Sequence, residues 1–231
     1  KAPLEMEWMK KLSSDIGRPV TFAMLQNEAE PDLWEQLLEE SLRSSEQGSQ
    51  CFPQVAGRPF GLLIGLQTHH AFAKRPTFAA YAHLPHEELV AKLKEPQVRS
   101  SILKEEDTPT DPAILFDGMA RLVQAMTHRL YPLGKIPDYE PAPDQSIAAI
   151  AERTGALPLE VLYDYMLEDG GHAMAMMPIF NYVNGNHDAI REMLLHPQAV
   201  SGLSDGGAHC GMICDASIPT FMLSHWARDR S

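Results

Sequence analysis

The residues best suited to chemistry lie in the string Ser201-Gly202-Leu203-Ser204-Asp205-Gly206-Gly207-Ala208-His209. A short apolar run, Ala199 to Ser204, ends there in a carboxylate, two glycines and an imidazole. The C-terminal end of a strand in a parallel sheet projects its groups from a rigid base toward substrate. An Asp in that place can ligate a metal ion and take the proton of an attacking water. Gly206 and Gly207 let the backbone approach a ligand closely, since neither carries a Cβ. The same residues also read as a plain strand followed by an Asp-Gly turn. His209, four residues after Asp205, either orients that Asp and touches substrate or is simply solvated.

Other residues offer weaker chemistry. Arg58 follows the strand-like Gln54-Val55-Ala56-Gly57, where its planar fork suits a substrate carboxylate or an ion pair with one of the chain's many acids. Cys210 and Cys214 stand beside His209 with three residues between them, but no second ligand pair accompanies them. They read as small packing residues rather than a zinc site. His69 and His70 are adjacent, and surface exposure is the plainer reading beside substrate contact. Met174, Met176 and Met177 read as adaptable core or pocket lining. Asp15, Glu28, Glu30, Glu39 and Glu40 read as solvated helix faces and loops.

The elements that must hold these groups follow from hydrophobic period. Leu4, Met6, Trp8, Met9, Leu12 and Ile16 predict an amphipathic helix ended by Gly17. Pro19 to Leu25 reads as a strand, Pro31 to Gln47 as a helix stopped by Gly48, and Gln50 to Val55 as the next strand. This rhythm is that of βα units around a parallel sheet. Residues 58–142 lose it; short helices near 86–94 and 112–130 stand among prolines, as in an insertion over the mouth of a barrel. Helices near 144–153, 158–168 and 187–195 follow. A buried-type strand over 199–204 and a final helix over 218–230 close the reading.

Composition bounds the function. With 31 acidic and 19 basic residues, the formal charge of -12 opposes a nucleic-acid backbone or an anionic membrane as partner. No apolar run approaches the roughly 18 residues of a membrane span. Three cysteines form no disulfide framework, which predicts a reducing, cytoplasmic setting. The sequence opens at Lys1 without an initiator Met and closes inside a helical pattern, which predicts a piece of a longer chain.

The segment His187 to Arg230 resembles the closing barrel strand and helix of the amidohydrolase superfamily, in its N-acyl-D-amino-acid deacylase (D-aminoacylase) branch. The likeness rests on His196-Pro197, Ser204-Asp205-Gly206-Gly207-Ala208-His209, Asp215-Ala216-Ser217 and Trp226-Ala227-Arg228-Asp229-Arg230. Upstream, Gly17 to Phe22 and Pro53 to Pro59 resemble the sixth and seventh barrel strands of that branch. The resemblance implies an α/β fold, the C-terminal part of a (β/α)8 TIM-type barrel with a mostly helical lid. It would be one partial barrel domain over 1–231: βα units over 1–57, a lid over 58–142, then helices, strand eight and the last helix over 143–231.

By the same resemblance the chain is a metal-dependent hydrolase of an amide or related C–N bond other than a peptide bond. Asp205 would be metal ligand and proton shuttle; Arg58, His209, Gly206 and Gly207 are the substrate-binding candidates that the residues themselves offer. Zinc is the implied ion, held mostly by residues outside this sequence. The implied partner is a small molecule, an N-acylated amino acid or similar amide. The sequence departs from the branch as well. It has ten histidines but no His-x-His, and Ala23-Met24-Leu25-Gln26 stands where the branch has histidines and a Lys. Cys214-Asp215-Ala216 stands where the branch places a carboxylate-binding Arg. These departures favour a single-metal site or a different substrate. They also leave a second reading open: an incomplete barrel that self-associates as a homo-oligomer or binds a partner through open sheet edges.

Overall fold

Burial alternates along Val20–Met24 and Cys51–Val55, so each strand turns one face to a core. The computed structural model describes residues 2–114, 116–204 and 216–230. In chain order its helices and strands are α1 (Ala2–Ile16), β1 (Val20–Met24), α2 (Leu33–Glu46), β2 (Cys51–Val55) and β3 (Phe60–Ile64). Then come α3 (Pro76–Tyr81), α4 (His86–Leu93), α5 (Pro96–Lys104), α6 (Met119–Ala125) and β4 (Tyr131–Pro132). The last are α7 (Ile147–Thr154), α8 (Pro158–Met166), β5 (Ala175–Phe180), α9 (Asp188–Leu195), β6 (Val200–Ser201) and α10 (Ile218–Phe221). A π-helix, Met222–Asp229, continues from α10. The described residues divide into two compact units, one of 2–61, 178–204 and 216–230, the other of 62–114 and 116–177.

Unit one is built on a parallel sheet in the order β1-β2-β6. Val20 lies beside Cys51 and Met24 beside Val55, while Gln54 and Val55 of β2 meet Val200 and Ser201. The β1-α2-β2 succession is the βαβ unit that the hydrophobic rhythm predicts. Trp34 and Leu38 of α2, with Ala189, Ile190 and Met193 of α9, pack on Met24 and Val55. Gly48, at φ +90, takes the left-handed backbone that ends α2.

Two expectations for this unit are corrected. Helix α1 buries Met6 but leaves Leu4, Trp8, Leu12 and Ile16 exposed. It is fastened instead by polar contacts: Lys10 pairs with Glu40 at 2.7 Å, and Ser13 Oγ donates to the Arg18 carbonyl. Glu40 therefore braces two helices rather than only facing solvent. The strand expected over 199–204 shrinks to Val200–Ser201, both exposed, because β6 is an edge of its sheet.

Unit two packs α3 to α8 with a sheet in the order β3-β5-β4, in which Tyr131 lies opposite Met176 in antiparallel pairing. Met176 and Met177 are core residues of β5, in keeping with the packing reading. The helix expected over 112–130 is reduced to α6 and a 3-10 turn, Thr127–Arg129. Upstream, Asp111 Oδ1 accepts from Ala113 N and Asp117 Oδ2 from Asp111 N. Such side-chain acceptors compete with helical hydrogen bonds.

His70 also departs from the exposed reading, being 2% accessible. Its Nδ1 accepts from the Phe72 amide at 3.2 Å, and its ring meets Phe78 edge-on at 4.5 Å. Burial, with a lesser contribution from His69, pushes its pKa down to about 4. The native state thus keeps the ring neutral while the unfolded chain protonates it near pH 6.5. Stability should be full above pH 6.5 and fall on acidification to about pH 4, by up to about 1.4 kcal/mol per pH unit. Urea midpoints across that range should show the loss in the parent and not in His70→Phe. Identical pH dependence in the two proteins would reject this assignment.

Candidate functional site

Because β1, β2 and β6 are parallel, their C-terminal ends share one edge of the sheet in unit one. Past β1 the chain reaches Gln26, which is buried. The Gln26 amide donates to Asn181 Oδ1 at 2.8 Å, and the Asn181 amide donates to the Gln26 carbonyl at 3.0 Å. This reciprocal pair ties the segment after β5 to the end of β1. Asn181 holds a left-handed φ of +62, and its buried Nδ2 has no hydrogen-bond partner among the described residues. An unsatisfied buried donor costs about 1–3 kcal/mol.

Past β2 come Gly57 and Arg58. The Gly57 carbonyl accepts from Trp226 Nε1 at 2.6 Å, so the π-helix is anchored to the strand end. A Cβ on Gly57 would stand 2.1 Å from Met222 Sδ, so any larger residue would have to displace the Met222 side chain. Arg58 is 2% exposed; it donates from Nη1 to the Pro59 carbonyl at 3.3 Å and from Nη2 to Ser217 Oγ at 3.2 Å. The structure therefore places Arg58 at the carboxyl edge, in a buried position.

The π-helix brings His225 against His187, the residue just before α9. His187 is fully buried, and one ring nitrogen of the pair donates to the other, Nδ1 of His187 lying 3.4 Å from Nε2 of His225. Phe221 stacks on the His225 ring at 4.5 Å, Trp226 meets it edge-on at 4.9 Å, and Tyr182 lies 5.8 Å from the His187 ring. Nothing in the sequence pairs these histidines, which stand 38 residues apart on unrelated elements. As a donor set they suit a metal: two bonds of about 2.0–2.1 Å at the tetrahedral angle put imidazole nitrogens roughly 3.3–3.4 Å apart.

Asp205, Gly206, Gly207, His209, Cys210 and Cys214 lie outside the described residues. Of the sequence-derived candidates, Arg58 is the one whose surroundings are described at the carboxyl edge. His69 and His70 belong to unit two, where the Arg75, Asp107 and Gln124 cluster is also found. That unit has an open cleft of about 480 Å³ lined by Leu103, Thr127, Leu157, Pro158 and Leu159. Arg99, which also lines it, donates to both carboxylate oxygens of Asp164 at 2.8 Å.

A parallel βα sheet with polar groups gathered at its carboxyl edge is the layout of α/β enzymes. The chain belongs to the amidohydrolase family, whose model matches residues 2–231. It is thereby a member of a family of metal-dependent hydrolases that act on small molecules. No curated protein and no solved structure matches the chain. The fold is mixed α/β with two three-stranded sheets, and no closed barrel is formed by the described residues. No described helix is long and apolar enough to cross a membrane.

Proposed function

We propose that the protein hydrolyses the amide bond of an N-acylated amino acid, in the manner of the D-aminoacylase branch. The observation that carries this reading is the shared carboxyl edge of β1, β2 and β6, with buried Arg58 after β2 and Asp205 four residues beyond the end of β6 in sequence. Helices α2 and α9 pack on the Met24 and Val55 face, while Thr21 and Ala23 on the other face are exposed. One-sided helix cover of a parallel sheet is what strands of a (β/α)8 barrel display, and residues 58–142 would then form its lid.

Zinc, when bound, would supply polarisation of the scissile carbonyl and acidification of the attacking water. Asp205 helps hold the ion, takes the proton from that water and delivers it to the leaving nitrogen. Arg58 offers its guanidinium to the substrate carboxylate, and Gly206 and Gly207 admit the acyl group close to the backbone. His209 orients Asp205.

The test uses N-acetyl-D-leucine and N-acetyl-L-leucine as probes, with released amine as the readout. Hydrolysis favouring the D-isomer is expected, abolished by a chelator and restored by zinc. Failure to release amine from either isomer by zinc-loaded, folded protein would overturn the proposal.

A further inference from the structure

We propose that His187 and His225 form a binding site for a zinc-class divalent ion. Their facing nitrogens, Nδ1 and Nε2, lie 3.4 Å apart. That is long for an N–H hydrogen bond, whose usual length is about 2.9–3.0 Å. It is the separation that two imidazoles take on one tetrahedral ion. Imidazole pairs of this kind suit zinc, copper and nickel rather than magnesium or calcium, which prefer oxygen.

Two further features shape the place for a ligand. The first is the π-helix Met222–Asp229, a conformation rare in proteins and concentrated at functional sites. Its hydrogen bonds reach five residues back, as from Arg230 N to the His225 carbonyl at 2.9 Å. The Trp226 bond to the Gly57 carbonyl holds that wide turn on the sheet edge and so sets the position of His225. The second is the ring wall of Tyr182, Phe221 and Trp226, which encloses the pair and restricts the rotation of both imidazoles. Donors held in place before binding lose little entropy when an ion arrives. The two histidines occupy two of the four positions of a tetrahedral ion.

The site is independent of the hydrolase reading, since it is read by metal binding and not by turnover. The experiment strips the purified full chain with a chelator and titrates it with Zn2+ by calorimetry, alongside His225→Gln, His187→Gln and Asp205→Asn. Each histidine variant is expected to bind at least tenfold more weakly at this site, while Asp205→Asn retains it. Thermal unfolding of the parent should shift upward with added zinc, and the shift should be lost in His225→Gln. A cobalt-loaded parent examined by NMR needs no variant: hyperfine-shifted imidazole signals from two histidines support the site even where His187→Gln fails to fold. Undiminished zinc affinity in folded His225→Gln would overturn the proposal. So would cobalt binding by the parent without shifted histidine signals, or an absence of metal binding by the parent.

Discussion

Replacing Asp205 by asparagine is expected to lower kcat/KM for an N-acyl-amino-acid substrate about 10²–10⁴-fold, the usual contribution of a positioned acid–base group. In barrier terms this is about 2.7–5.5 kcal/mol. Asparagine keeps the shape and a carbonyl oxygen but cannot accept a proton from water or return one to the leaving nitrogen. The parent should therefore show an acidic limb in its pH–rate profile, as the carboxylate is lost to protonation. The variant's residual rate should lack that limb. Urea unfolding of the two proteins should coincide, which separates a chemical role from a structural one. A variant within fivefold of the parent, or a parent profile without an acidic limb, would remove Asp205 from the mechanism.

A comparably large effect on stability is expected from Asp107→Asn in unit two. Arg75 Nε lies 3.0 Å from Asp107 Oδ1, with the side chains 10% and 6% exposed. The two atoms are not aligned for a hydrogen bond, so the contact is a pairing of charges. Gln124 Nε2 adds a bond to Asp107 Oδ2 at 3.0 Å and another to the Ala71 carbonyl at 2.6 Å. Taking away one partner of a buried pair leaves the other charge desolvated, which costs about 3–5 kcal/mol. The pair itself need not be worth that much, because both ions were taken out of water to form it. Accordingly, Arg75→Met combined with Asp107→Leu should recover most of the loss. Denaturant unfolding decides the matter, and a loss below about 1 kcal/mol for Asp107→Asn would mean that the pair is screened like a surface one.

The two histidine assignments differ in what they ask of the local chain. His70 draws its environment from its own neighbourhood, Phe72 and Phe78, yet the adjacent His69-His70 pair gives no sign of which ring is enclosed. His187 and His225 depend on a turn at the start of α9 meeting a π-helix near the C-terminus. Arg58 stands between these cases. Its place after a strand is visible in the sequence, whereas its Ser217 partner lies 159 residues away.

By itself, the sequence determined the βαβ rhythm of β1, α2 and β2, the position of Arg58 at a strand end, and membership of a hydrolase family. These properties are local: hydrophobic period, stop residues and short motifs act over one element at a time. It did not reveal β3, β4 and β5, because such short runs carry no period that distinguishes a strand from other core segments. Nor did it reveal the shortness of β6 or the exposed stripe of α1, since an apolar pattern says which face can be buried and not whether anything covers it. The convergence of His187 with His225, the enclosure of His70 and the Gln26–Asn181 clasp were decided only by tertiary packing. The His187–His225 pair and the Gln26–Asn181 clasp require distant segments to meet within hydrogen-bonding distance, and no local propensity encodes that distance.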